Sequence, residues 1–335
     1  MRRFFFKLLK TILALSLGIY LFWYFFHSMS TETLEVFYDA IYKANYFWII
    51  LSLFLSFLAY LVRAYRWKYL IEPLNYNTSF WNRYHAISIG YLVNYTIPRA
   101  GEIARATMLF RSDGVPFAKS VGTILVERAF DVMILLALIF SSSILYSDDY
   151  SALTNAVKSN FNSSSTESSS VFYFSLIGVA VLILISILAF EKLRFKVFQF
   201  MKSLSDGILS IFHSKNKVQF IVQTVVIWLL FIAYFGICYF SFPETATIPV
   251  RGIILGFIAG SIGITLTNGG IGVFPLVVGL TIEYYLKEEY GEIAQGLGFA
   301  LGMIIWCSQT TMVIILGVIS LLLLPKNFKE DVNIS

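Results

Sequence analysis

Two short runs hold most of the residues in this chain that could do chemistry. Arg99, Glu102 and Arg105 recur three apart within NYTIPRAGEIARA (94–106), and Glu127, Arg128 and Asp131 follow within VERAFDV (126–132). Three guanidiniums and three carboxylates sum to zero charge. No nucleophile–base pair, phosphate loop or dinucleotide fingerprint accompanies them, and His27, His85 and His213 are scattered without metal-ligand spacing. The chain therefore reads as a non-enzyme with no cofactor and no metal. What remains is electrostatic recognition. Arg99, Arg105 or Arg128 would contact phosphate oxygens, and Glu102 and Asp131 would balance the cluster or meet an amino group.

Spacing places these groups. In a helix beginning near Pro98, Arg99, Glu102 and Arg105 form one polar face, and Glu127 and Asp131, four apart, share another. The economical reading is that the two faces meet in a polar pocket open to the cytoplasmic leaflet. Pro98 and Gly101 add a backbone role, since proline suits a first helical turn and a helix N-terminus offers free N–H groups to an anion. The alternative is that Arg99 and Arg105 snorkel from an ordinary helix end, with Glu127 and Arg128 as plain interface residues.

The elements that must carry these faces are set by composition. Of 335 residues, 58% are hydrophobic and 13% charged, against about 25% charged in soluble domains. With a mean hydropathy of +0.74, the chain is expected to be one all-α integral membrane domain over 1–335. The net charge of +5 does not point to nucleic acid, because basic residues collect beside the ends of apolar segments. A spanning helix needs about twenty apolar residues, which predicts spans at 8–26, 46–62, 127–146, 171–190, 218–241 and 294–324. The first is too long for a signal-peptide core and is read as an uncleaved helix. The last contains the polar run Cys307-Ser308-Gln309-Thr310-Thr311, which suggests a tilt or kink.

Two further segments, 84–110 and 252–286, are apolar but interrupted by Pro and Gly. Such breaks must be buried in protein or line a wet cavity. Loop charges assign the topology. Arg2, Arg3, Lys7 and Lys10, then Arg63, Arg66 and Lys68, then the lysines and arginine between 192 and 217, then Lys326 and Lys329 form one basic set. Glu32, Glu35, Asp39, Asp148, Asp149, Glu167, Glu288, Glu289 and Glu292 form an acidic set. The sets fall on opposite sides only if both interrupted segments are re-entrant hairpins. This predicts six full spans plus two re-entrant hairpins, with both termini cytoplasmic.

The chain thus reads as a first half (1–146), a flexible external loop (147–170), a cytoplasmic interfacial helix (191–217) and a second half (218–335). The break in the second half, LTNGGIGVFPLVVGL (266–280), carries Gly269, Gly270, Gly272 and Pro275 but no charge. Asn268 is expected to cap the helix after the glycines. Two broken segments, one per half and entering from opposite faces, suit an inverted repeat. The other reading is a Gly-rich packing break. The cysteines, Cys238 and Cys307, lie within apolar segments and suggest no disulfide framework.

One resemblance adds to this. Asn94, Pro98, the Gly101-Glu102 pair and Arg105, followed by Glu127-Arg128-x-x-Asp131, are similar to the flippase-like transmembrane domain of lysylphosphatidylglycerol synthases and its stand-alone relatives. That family also carries a GG-x-G block, matched by Gly269, Gly270 and Gly272. The resemblance covers about 10–324. The chain departs from the family in having Asn268 where proline is usual, and Phe274-Pro275 where an acid is usual. The soluble aminoacyl-transferring domain is expected to be missing. The resemblance implies movement of an anionic or aminoacylated phospholipid between leaflets of a bacterial inner membrane. Asn94, Pro98, Arg99, Gly101, Glu102, Arg105, Glu127, Arg128, Asp131, Asn268, Gly269, Gly270 and Gly272 are the expected substrate-binding set. The expected partners are the bilayer, an anionic phospholipid and a lipid-synthesising enzyme. A secondary transporter of a small anionic or drug-like solute, or a non-transporting scaffold for lipid enzymes, are the other readings.

Overall fold

The computed structural model describes residues 29–97, 100–152 and 216–324, with Tyr20, Trp23, Phe26 and His27. The expected spans at 8–26 and 171–190, and the interfacial helix at 191–217, lie largely or wholly outside these residues, as do Pro98 and Arg99. Among the described residues all regular structure is helical. The chain divides into two compact units, 1–142 with 218–335, and 143–217. The described part of the second unit is residues 143–152, helical at 143–145 and 147–152. The helices relevant to the polar residues lie in the first.

Helix α1 (Thr31–Lys43) precedes α2 (Tyr46–Ile71). The charge pattern read Glu32, Glu35 and Asp39 as an acidic loop, but the segment is helical. The Ser30 hydroxyl caps it by accepting from the Thr33 N–H, and Phe37 is buried on its inner face. Helix α2 also runs nine residues past the expected end at 62. No breaker occurs before Pro73, so Arg63 and Arg66 sit on helix and are buried. Their assignment to a cytoplasmic loop is thereby corrected.

The first interrupted segment is a helical hairpin, α3 (Phe80–Thr96) and α4 (Gly101–Asp113). Its arms cross where neither can carry a bulky side chain. A Cβ added at Gly101 would collide with the Gly90 carbonyl oxygen and the Asn94 side chain. At its base, Asp113 Oδ1 accepts from the Ser79 N–H at 3.0 Å and from Asn82 Nδ2 at 3.2 Å. The second is α7 (Val250–Leu266) and α8 (Val273–Tyr290). Gly252 packs on Tyr285, Gly260 on Phe274 and Val278, and Gly263 on Phe274, so these arms are also antiparallel. Between them Gly269, Gly270 and Gly272 adopt φ of 65°, 79° and 73°. This left-handed region is open to glycine at little cost.

Helix α9 (Ile293–Leu323) is the spine. It is continuous through Cys307–Thr311, with no break at the expected kink. Its first half packs on the second hairpin: the Cβ sites of Gly298 and Gly302 lie against the Gly279 and Pro275 carbonyls. Its second half packs on the first hairpin: Gly317 lies against Leu92, and Ser320 Oγ is 3.0 Å from His85 Nδ1. The two hairpins therefore approach from opposite ends of α9, tip to tip. Helix α6 (Lys217–Ile237) runs antiparallel to α2, joined by Ser52 Oγ donating to the Tyr234 carbonyl at 2.7 Å. Helix α5 spans Phe117–Leu145. Among the described residues three segments are long and apolar enough to cross a membrane: Tyr46–Leu74, Lys217–Ser241 and Ile293–Leu323.

Candidate functional site

Glu127 is the hub of a buried charged cluster. It sits on α5 with no solvent exposure and touches guanidiniums from two other helices. Arg105 Nη2 on α4 donates to Glu127 Oε2 at 2.7 Å. From α2, Arg63 Nη1 and Arg66 Nη2 stand 3.3 and 3.1 Å from Glu127 Oε1. One turn further along α5, Asp131 accepts from Arg63 Nη2 at 3.0 Å, with Arg66 Nη2 at 3.5 Å. Arg66 Nη1 also donates to Thr224 Oγ1 on α6 at 2.8 Å. The polar faces of α4 and α5 meet, and α2 closes them from a third side.

Trp67 explains how so many charges tolerate burial. It is fully buried beside Arg66, and its Nε1 donates to Thr123 Oγ1 at 2.9 Å. The Arg105 guanidinium carbon lies 3.7 Å from the centre of its ring. Arg63 faces Phe231 at 5.5 Å and Tyr91 at 6.0 Å, and Arg66 faces Phe220 at 5.3 Å. Aromatic faces attract desolvated cations, so the rings replace part of the lost hydration.

The outer edge of the cluster is looser. Arg128 keeps 37% of its side chain exposed, and stands 3.7 Å from both Glu102 Oε1 and Asp131 Oδ2. Glu102 is 34% exposed. Four guanidiniums (Arg63, Arg66, Arg105, Arg128) face three carboxylates (Glu102, Glu127, Asp131), a formal surplus of one positive charge among the described residues. The sequence balance of zero changes because α2 brings Arg63 and Arg66, while Arg99 lies outside the described residues and is not counted. The arginines three apart at 63 and 66, with no helix breaker before Pro73, were the available signal.

Asn94 does not join the charges. Its Oδ1 accepts from the Gly101 N–H at 2.7 Å, so it caps α4 across the break. Helix α4 starts at Gly101, not near Pro98 as spacing suggested. Asn268 contributes backbone to a single turn, Asn268–Gly270. The N-cap of α8 is Gly272; the expected capping by Asn268 depends on a side chain outside those described. Gly269, Gly270 and Gly272 sit at the opposite hairpin's tip, away from the carboxylates. Gly269 lies against Tyr95, and its carbonyl accepts from Trp306 Nε1 at 2.8 Å.

What the cluster can do follows from its donors. Guanidinium forks match the oxygens of a phosphate or carboxylate. Ionisable residues inside membrane helices are costly and mark pathways more often than packing. A membrane protein of the UPF0104 group from Methanocaldococcus jannaschii is 30% identical over 92 residues, 27% of this chain and 27% of that relative. The match thus spans about a quarter of that protein's length. No solved structure matches. The family model described as the lysylphosphatidylglycerol synthase TM region matches residues 11–294. The chain, a helical multi-pass membrane protein, belongs to the lysylphosphatidylglycerol synthase transmembrane-region family.

Proposed function

We propose that this protein moves an anionic or aminoacylated phospholipid between leaflets, with the cluster around Glu127 receiving the headgroup. The observation that carries this reading is the positive surplus, presented at its outer edge by Arg128, which is half-exposed and loosely paired at 3.7 Å. Arg63, Arg66 and Arg105 hold Glu127 and Asp131 in place. Arg128 is free to exchange its carboxylate neighbours for a phosphate oxygen, and Glu102 is placed to meet an amino group on an aminoacylated headgroup.

The topology in this reading is six full spans and two re-entrant hairpins in a bacterial inner membrane, with both termini cytoplasmic. The opposed approach of the hairpins along α9 supports it. So do the arm lengths: 17 and 13 residues, then 17 and 18. At 1.5 Å per residue the longest arm reaches about 27 Å, short of a hydrocarbon core of about 30 Å. The basic loop after α4 and the acidic Glu288, Glu289 and Glu292 lie at opposite hairpin bases. Opposed hairpins are also what an inverted repeat would produce.

The test is a leaflet-resolved assay in vesicles of phosphatidylcholine with labelled phosphatidylglycerol. Arg128→Gln is the informative variant because it leaves the buried pairs intact. We expect transport to fall at least tenfold with unchanged folding. An unchanged rate sinks the headgroup role. Uptake of a small anion without lipid movement would favour the solute transporter.

A further inference from the structure

Helix α1 sits where three segments long and apolar enough to cross a membrane have their ends. One opens with Tyr46, one closes with Ser241 and one opens with Ile293. The Asn45 N–H donates to the Ser241 carbonyl at 2.9 Å, in the turn between α1 and α2. On the other side Gly296, in the first turn of α9, meets α1 at mid-length. A Cβ added there would stand 2.7 Å from the Thr33 carbonyl oxygen and 3.4 Å from the Phe37 nitrogen. Phe37 then packs on Phe299, with ring centres 5.6 Å apart. Helix α1 is therefore fixed to the ends of the spans, where hydrocarbon gives way to headgroups.

Each residue turns the helix by about 100°, which sorts the side chains of α1 into three strips. Thr33, Phe37 and the capping Ala44 are buried against the protein. Glu32, Glu35, Asp39 and Lys43 are exposed on the far side, with Asp39 and Lys43 paired at 2.7 Å. Between these strips stand Tyr38 and Tyr42, four apart, 62% and 88% exposed. The Tyr46 hydroxyl donates to the Ile41 carbonyl at 2.8 Å, which sets the first exposed ring of α2 beside the last turn of α1. From there the exposed surface of α2 runs on through Phe47, Ile50 and Phe54, on a segment apolar enough to face lipid. The tyrosine strip continues that lipid-facing row.

We propose that α1 lies along the bilayer surface at the ends of these spans, with Tyr38 and Tyr42 seated among phospholipid headgroups and Glu32, Glu35 and Asp39 turned to water. With the third strip buried on the protein, this orientation satisfies both of the others. Tyrosine favours the membrane–water interface because its ring is apolar and its hydroxyl bonds to water or phosphate. Carboxylates are costly in hydrocarbon and are repelled by anionic headgroups. Helix α1 is thereby an anchor that sets the depth of α2 and α9. It is a different surface from the charged cluster, and its role stands whether or not lipid is moved.

Two measurements test it, both in nanodiscs of phosphatidylcholine and phosphatidylglycerol, which leave the two bilayer faces open. With Cys238→Ala and Cys307→Ala removing the native thiols, a nitroxide is attached at Tyr42→Cys or at Asp39→Cys. Its collision rate with oxygen, which concentrates in lipid, is divided by that with a water-soluble nickel chelate. This ratio should be at least threefold higher at 42 than at 39. Equal ratios would overturn the anchor. So would a label at 42 shielded from both agents, which would mean that a protein surface covers the strip. The second measurement keeps the native cysteines. Hydrogen exchange of the α1 amides should be at least fivefold faster in the Tyr38→Ser, Tyr42→Ser protein than in the unaltered one, with α9 unchanged. Serine and tyrosine differ little in helix propensity, so the change reads loss of the interfacial contact. Unchanged exchange in α1 would also overturn it.

Discussion

At the tip of the first hairpin a side chain crosses the break and caps the returning helix. At the tip of the second, three left-handed glycines turn the chain, and the cap position is itself glycine. The arms differ in the same way. Arg105 and Glu102 on α4 face an arginine-rich α2 and an acidic α5, while α7 and α8 bury Gly252, Gly260 and Gly263 against aromatic and aliphatic neighbours. Two hairpins of one plan thus solve the same difficulty, broken backbone in an apolar protein, with different chemistry. The first is held by charge and can answer to a charged ligand. The second is held by close packing and offers a rigid seat.

That contrast can be broken most severely at Glu127. Glu127→Ala would leave Arg63, Arg66 and Arg105 facing one another without their shared acceptor. Loss of one partner from a buried ion cluster costs about 3–5 kcal/mol, so the purified protein should lose its cooperative unfolding transition in mild detergent. A shift of only a degree or two would show that water enters the cluster.

Gly269→Ala is the corresponding blow to the second hairpin. Backbone strain in the left-handed region costs about 1–2 kcal/mol, and the Tyr95 ring adds a steric part. Combining it with Tyr95→Ala should recover the steric part and leave the backbone part. Strict additivity in thermal unfolding of the single and double variants would argue against the contact.

Asn94→Ala removes the cap at the other tip, with an expected loss of about 1 kcal/mol. Asn94→Asp should retain most of the stability, since a carboxylate oxygen can also accept from the Gly101 N–H. Equal losses in the two variants would mean the amide has another role.

The smallest effect is expected at Arg128. An exposed pair is worth up to about 1 kcal/mol, so Arg128→Gln should barely change unfolding. It should, however, abolish the added stability that phosphatidylglycerol gives the unaltered protein in detergent. If stability falls as far as with Glu127→Ala, Arg128 belongs to the buried set.

Much of this arrangement was legible before any coordinates. Proline and glycine marked both breaks, and three- and four-residue spacing marked the polar faces of α4 and α5, because these signals depend only on helical periodicity. The same local rules misplaced α1, whose acidic residues looked like a loop although Ser30 and Phe37 carry the cap and the buried face. They also placed the α4 start near Pro98, whereas the helix begins at Gly101. Caps are decided by backbone that approaches from elsewhere: Asn94 reaches Gly101 only because the hairpin closes.

By itself the sequence determined that the chain is a multi-pass helical membrane protein with two interrupted segments, one charged and one not. Hydropathy, backbone breakers and residue spacing are properties of a continuous stretch and survive without neighbours. Tertiary structure alone decided that Arg63 and Arg66 join the cluster, that its described members carry a positive surplus, and that Tyr95 rests on Gly269. Whether an arginine at a helix end reaches water or a carboxylate depends on which helix packs beside it. Residues 63 and 127, or 95 and 269, have no relation along the chain until α2, α5 and the opposed hairpins bring them together.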